Sequence, residues 1–259
     1  MSTSSSKPPL DGQLALITGS TGGIGSATSR LLASLGCRIA LHYNSDVETA
    51  TLLKNELQKK HPHELNRNFM SFKADMGDYD QVRELHTNVV STLGHPTILI
   101  NNAGSTLGLS GVKSVADVPI EDFERTWRVN CGSAYLLTQL CIPAMEESGW
   151  GRVIFVSSVA GLTGGIVGPH YASSKSALHG LIHWLANAYA KKGVTVNGIA
   201  PALIEQTKML PGSSEELSKK IPLGRLGTPD EIAETVLWMI KTGYVTNKVI
   251  CVDGGMFPQ

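Results

Sequence analysis

Long apolar runs, paired cysteines and an excess of either charge are all missing from this 259-residue chain. Lys+Arg and Asp+Glu each number 22, so no overall field draws it to nucleic acid or to an anionic membrane. The four cysteines, Cys37, Cys131, Cys141 and Cys251, lie far apart and make no CxxC pair. A zinc cluster or a secreted disulfide framework is therefore not expected, and free thiols in a reducing compartment are. No apolar run reaches the roughly 18–20 residues needed to cross a bilayer. Met1 to Pro9 are rich in serine without an apolar core, which does not read as a secretory signal. A disordered tail over residues 1–10 and a cytoplasmic location are the expectations. His61-Pro62-His63-Glu64 comes nearest to a metal cluster, but Pro62 breaks the helix that would orient it, so no metal is expected.

What is present is the composition of an ordinary globular protein, long enough to bury a core without staples. Short aliphatic runs alternate with longer amphipathic stretches. The runs Leu14–Thr18, Arg38–Tyr43, Phe69–Ala74, Thr97–Ile100, Arg152–Ser157, Val194–Ile199 and Lys248–Val252 are mostly continuous in apolar character. That pattern suits strands covered on both faces. Between them, helices are expected over Gly23–Leu35, Val47–Lys60, Tyr79–Thr92, Phe123–Met145, Tyr171–Lys192 and Asp230–Lys241, with Gly36, Gly193 and Thr228-Pro229 as boundary signals. Strict alternation implies an α/β, doubly wound parallel sheet of about seven strands with helices on both faces. The one interruption is a polar insertion at residues 203–222, on the side of the sheet where ligands bind such folds.

The first strand runs into Thr18-Gly19-Ser20-Thr21-Gly22-Gly23-Ile24-Gly25 and then into a helix. Glycines there allow a sharp turn and a close approach of backbone to a pyrophosphate, whose charge the helix N-terminus favours. No Gly-Lys-Ser/Thr follows, so a P-loop phosphotransferase is disfavoured. Tyr171-Ala172-Ser173-Ser174-Lys175 places a phenol and an ammonium on one face of a later helix. A carbonyl that accepts hydride becomes an alkoxide and needs a proton donor. A free tyrosine, with pKa about 10, is a poor base at neutral pH unless nearby cations favour its phenolate.

The TGxxxGIG loop and the YxxxK pair together resemble the short-chain dehydrogenase/reductase family, in its single-domain branch and most closely its 3-oxoacyl-carrier-protein reductases. The resemblance implies a single Rossmann domain over residues 11–259 that both binds a dinucleotide and carries the catalysis, with 203–222 as the substrate-side insertion. It implies that Tyr171 and Lys175 transfer the proton, and that Ser158, thirteen residues before Tyr171, holds the substrate oxygen. Alternation at the strand end favours Ser158 over Ser157 for that place. By the same resemblance Asn130 kinks its helix and holds a water that links the lysine to solvent.

For the cofactor the resemblance implies contacts from Gly19, Thr21, Gly23, Ile24 and Gly25 of the loop. Asn102, Ala103 and Gly104 of the NNAG sequence, Asp75 at the adenine, and Pro201 and Ile204 over the nicotinamide complete it, with Tyr171 and Lys175 on the ribose side. One extra residue separates Ile204 from Thr207. Tyr43, Asn44 and Ser45 end the second strand where an acid would select NAD, and their donors suit a 2′-phosphate. Asp46 comes too late to fill that place; the glycine loop itself supplies no cation, carrying Thr21, and Arg38 is the nearby one. NADP(H) is therefore the expected cofactor, a small neutral ketone or a 3-oxoacyl thioester the expected substrate, and a homotetramer the expected assembly. An NAD-dependent alcohol dehydrogenase of the same family is the alternative. A non-catalytic NADP-binding regulator is disfavoured because such proteins typically lose the tyrosine or the lysine.

Overall fold

A computed structural model describes residues 10–61, 69–207 and 213–258 of the chain. Its apolar runs form seven strands, β1 (Leu14–Ile17), β2 (Arg38–Tyr43), β3 (Phe69–Lys73), β4 (Ile98–Asn101), β5 (Gly151–Val156), β6 (Val194–Pro201) and β7 (Val249–Val252). They make one all-parallel sheet in the order β3-β2-β1-β4-β5-β6-β7. β1, β4, β5 and β6 are buried at every position, as continuous aliphatic strands covered on both faces must be.

Two apolar layers hold the helices against the sheet. On one face lie α1 (Gly23–Ser34), α2 (Val47–Lys60) and α9 (Pro229–Lys241), around Leu32, Leu53, Leu57, Ile232 and Val236. On the other lie α3 (Tyr79–Leu93), α5 (Ser133–Ser148) and α7 (Pro169–Tyr189), around Leu85, Val89, Leu137, Leu178 and Ile182. Their ends follow local chemistry. Thr228 and Glu231 close a capping box on α9 with Pro229 in its first turn, while Gly193, at φ 81°, ends the chain segment after α7.

One expected element changes, and detail is added at two other segments. The helix foreseen over Phe123–Met145 is α4 (Ile120–Trp127), a π turn (Arg128–Gly132) and then α5. The insertion at 203–222 is not featureless: Ile204 bridges to Gly227, and α8 (Ser214–Ser218) follows, whereas Pro211 and Gly212 lie outside the described residues. Of the tail foreseen over residues 1–10, all but Leu10 lies outside the described residues, and Leu10 is packed in the core with its N–H donating to Leu35 O. Of His61-Pro62-His63-Glu64, only His61 is described. The remaining helix, α6 (Ala160–Thr163), is a single turn just after β5.

Strand order reverses between β1 and β4, the place where a doubly wound sheet opens a crevice at the carboxyl ends of its strands. β5, α6 and the start of α7 border the same end.

Candidate active site

The crevice holds two cavities of about 350 Å³ each, which share Ile24, Asn102 and Thr207 in their walls. The first is floored by the glycine loop. Gly19 stands at φ 65°, a conformation that favours glycine, and a Cβ at Gly25 would overlap the Gly19 carbonyl oxygen. The loop is tied to the end of β4 by side-chain bonds. Thr18 Oγ1 accepts from the N–H groups of Asn102 and Ala103, both at 2.9 Å, and Asn102 Nδ2 donates to the carbonyls of Thr18 (2.8 Å) and Gly19 (3.1 Å). This is a cradle of backbone with little side chain in it, which fits a dinucleotide pyrophosphate.

Of the residues expected to hold a cofactor, Gly19, Thr21, Gly23, Ile24, Gly25, Asn44, Asp75, Asn102, Ala103 and Gly104 line this first cavity. Tyr43 and Ser45 do not. His42 does instead, because alternation along β2 turns it and Tyr43 to opposite faces. His42 is fully buried and uses both ring nitrogens: Nδ1 accepts from Gly19 N–H (2.9 Å) and Nε2 donates to Ala74 O (3.0 Å). The Gly19 bond requires the neutral ring with its proton on Nε2. Burial holds its pKa down at about 4, against the pull of the Ala74 bond and the Asp75 charge.

Two foreseen charges sit differently. Arg38 is at the amino end of β2, five residues from Tyr43, and its guanidinium donates to Leu93 O. It therefore cannot serve a phosphate at the other end of the strand. Lys73 of β3 is in register with Tyr43 and exposed, and shares the face turned away from the cavity; Arg125 is the cation in the cavity wall. Asp75 points to the cavity but is engaged, accepting from Gly77 N–H (2.8 Å) and pairing with Arg125 of α4. Asp46 caps α2 by accepting from Thr49 N–H.

The second cavity brings together Ser158, Tyr171, Lys175, Pro201 and Ile204. The two serines after β5 diverge. Ser157 also lines the cavity, but its hydroxyl is engaged, donating to Lys175 O (3.0 Å) and meeting His179 Nε2 (2.8 Å). Ser158 Oγ accepts from Ala160 N–H (3.1 Å) and donates to Pro201 O (3.4 Å), with its hydroxyl beside the Tyr171 phenol. One turn of α7 separates Tyr171 from Lys175, whose Nζ lies 5.8 Å from the tyrosine ring centre and donates to Val156 O (2.7 Å). Burial pushes the Tyr171 phenol up, opposed by the Ser158 bond, and pushes the Lys175 ammonium down to about 8. The phenolate that nearby cations would favour is thus not the resting form of the protein alone; Tyr171 stands as a neutral acid.

Asn130 lines neither cavity. It is buried in the π turn, where its amide clasps the backbone of Ser105: Oδ1 accepts from Ser105 N–H (2.7 Å), and Nδ2 donates to Ser105 O (3.0 Å) and to Ser174 Oγ (2.9 Å). A Cβ at Gly104 would lie 3.2 Å from Lys175 Nζ and 3.5 Å from Asn130 Oδ1, so only glycine leaves that corner open. Sequence reasoning missed His42 and Arg125, and no local signal marks either one. Thr207 stands where the two cavities meet, its hydroxyl donating to Ile204 O (2.8 Å).

A crevice at the switch point with a Gly-rich floor, beside a serine, a tyrosine and a lysine sharing one cavity, defines a dinucleotide-dependent class of site. A model of the short chain dehydrogenase family matches residues 13–218, and the chain belongs to this family. It is 35% identical over 257 residues to the 3-oxoacyl-[acyl-carrier-protein] reductase of Aquifex aeolicus, covering 96% of this chain and 98% of that protein. It is 32% identical over 255 residues to the 2-dehydro-3-deoxy-D-gluconate 5-dehydrogenase of Bacillus subtilis, covering 95% of each. Among solved structures, a blue fluorescent protein from a metagenomic library, in complex with NADPH, aligns with TM-score 0.87 and 34% identity, covering 96% of this chain and all of that one.

Proposed function

We propose that this chain is an NADP(H)-dependent oxidoreductase that reduces a ketone, with Tyr171 as the proton donor. The observation that carries the reading is the convergence of Ser158, Tyr171 and Lys175 on one cavity that adjoins the glycine-floored one. A reduced nicotinamide, when bound, supplies the hydride. The chain's own residues handle the charge that then develops on the carbonyl oxygen. Ser158 donates a hydrogen bond to that oxygen, and the neutral Tyr171 phenol gives it a proton. Lys175 stabilises the phenolate left behind, its charge strengthened by burial from solvent. Asn130 positions Ser105 and Ser174 around the lysine rather than touching the reactants.

The first cavity fits the phosphate-bearing cofactor. At the end of β2, Asp46 caps a helix and Asn44 takes the wall, so no acid of that strand end lines the cavity. The NADPH complex of the similar metagenomic protein supports the same choice. The relatives act by name on an acyl thioester and on a sugar acid, so the substrate reading rests on the cavity, which is mainly apolar and suits a ketone or an acyl thioester. For the assembly we propose a homotetramer built on α5 and α7, supported by the exposed Tyr135 and Trp184 on them. A cytoplasmic location is supported by four cysteines that form no disulfide.

The test is NADPH oxidation followed with ketones and 3-oxoacyl thioesters, using Tyr171→Phe as the control. Turnover should fall by a factor of about 10²–10⁴ while NADPH binding, read by fluorescence titration, is kept. Wild-type turnover in the variant would remove Tyr171 from proton transfer.

A further inference from the structure

The second cavity is uneven in its chemistry. Val159, Ile166, Val167, Leu203 and Met256 give it aliphatic walls, and among the described residues no Asp or Glu lines it. Its charged groups among the described residues are Lys175 and Lys220. Lys175 is buried and its ammonium is already bonded to Val156 O. Lys220 is exposed, and among the described residues no hydrogen bond or ion pair engages its ammonium, whereas the adjacent Lys219 pairs with Glu215 at 3.6 Å.

The backbone of Lys220 is held in place from both sides. Leu217 and Ile221 are buried, and with Leu226 they form a small apolar cluster against Leu203. The Lys220 N–H donates to Leu217 O (3.1 Å). The segment is also pinned to the turn after β7, where Leu223 N–H donates to Gly254 O (3.2 Å) and a Cβ at Gly254 would lie 2.5 Å from Ile221 Cγ2. A lysine on a fixed backbone segment that lines an apolar cavity differs from a solvated surface lysine.

Apolar walls and a lone cation call for different ends of one ligand. We propose that Lys220 is a specificity-determining residue that receives the anionic terminus, a carboxylate or a phosphate, of a substrate whose remaining body is an apolar ketone. The inference rests on the second cavity being the substrate site of a ketone reductase. Lysine suits the role because its compact charge and three donors reach from a flexible stem without a fixed approach angle. The ammonium is solvent-exposed, so its contribution weakens as ionic strength rises.

Two matched pairs of substrates separate the possibilities: levulinate against its methyl ester, and the 3-oxobutyryl thioester of phosphopantetheine against that of pantetheine. They are compared with wild type, Lys220→Met, which keeps the length of the stem, and Lys220→Arg. In Lys220→Met, kcat/KM should fall about tenfold, or 1.4 kcal/mol, for the anionic member of a pair and stay unchanged for the neutral one. Lys220→Arg should retain the discrimination. A loss in the first pair alone identifies a keto acid, and in the second alone a phosphate-bearing thioester. Equal losses within both pairs, or none, overturn the proposal. If wild type turns over none of the four, the reductase reading fails separately. Calorimetric binding of hexanoate and hexyl phosphate against hexanol then decides for Lys220: tighter binding of an anion that Lys220→Met abolishes sustains it, and equal binding refutes it.

Discussion

At the residue scale, two buried titratable groups have opposite relations to the chemistry. His42 keeps the glycine loop in place only as a neutral ring, with a pKa of about 4 in the folded protein against an ordinary 6.5. Between those values the unfolded chain binds a proton that the folded one refuses, so stability falls as pH drops from about 6.5 towards 4. The loss from this group is bounded at about 3 kcal/mol, with the depressed His86 and His179 adding to the same limb. His42→Gln, which has no proton to gain, should show a flatter decline of Tm over that window. An unchanged acid limb would place the titration elsewhere. The variant should also weaken cofactor binding at neutral pH, since Gly19 loses its acceptor.

Lys175 is the other case. Its ammonium is held down at about 8 by burial, against an ordinary 10.5. The unfolded chain therefore binds more protons between those values, and the folded state is less stable below pH 8 than it would be with an apolar group there. The burden is about 3 kcal/mol at neutral pH. Lys175→Met should abolish turnover yet raise Tm at pH 7 by several degrees, the gain shrinking as pH approaches 10. A variant no more stable than wild type at pH 7 would show that the Val156 bond already offsets the buried charge.

At the scale of elements, the π turn between α4 and α5 is the piece that ties the site together. A wider turn, with its i→i+5 bonding, presents Asn130 inward, where it pairs with both backbone groups of Ser105 as a neighbouring strand would. Asn130→Ala leaves two part-buried backbone groups of Ser105 without their partner and should cost about 1 kcal/mol, with a lower kcat from a loosened Ser105. Asn130→Asp keeps the acceptor for Ser105 N–H but, ionised at neutral pH, has no donor for Ser105 O, so it should recover only part of the loss. Denaturant unfolding and turnover of both variants check this. An alanine variant with wild-type stability would mean the clasp is replaced by solvent.

For the whole molecule, two of the exposed large apolar groups lie on the long helices of one layer. Tyr135 is 48% exposed on α5 and Trp184 65% exposed on α7, large rings that a monomer would leave in water. A homotetramer by light scattering is expected, and Trp184→Glu should shift the distribution to smaller species by burying a charge in the contact. A wild-type monomer at micromolar concentration would contradict this assembly.

Much of the site was legible in the chain because its chemistry is local. The i,i+4 spacing of Tyr171 and Lys175 needs only a helix to face both the same way, and the Ser157/Ser158 choice needs only the alternation of a strand end. The strand runs were equally plain, since a sheet covered on both faces demands continuous apolar residues. His42 was not legible, because its partners Gly19 and Ala74 lie 23 and 32 residues away and meet only in the folded sheet. Arg38 was misread for the converse reason: near in sequence to Tyr43, it sits at the other end of an extended strand. The π turn leaves no mark in Val129-Asn130-Cys131, because what it satisfies is the backbone of a different loop. The sequence by itself determined which groups come together in one cavity, through spacings that short-range geometry converts into shared faces. Only the tertiary structure decided their ionisation and their company. Burial and long-range hydrogen bonds set those, and both exist only once distant segments are packed together.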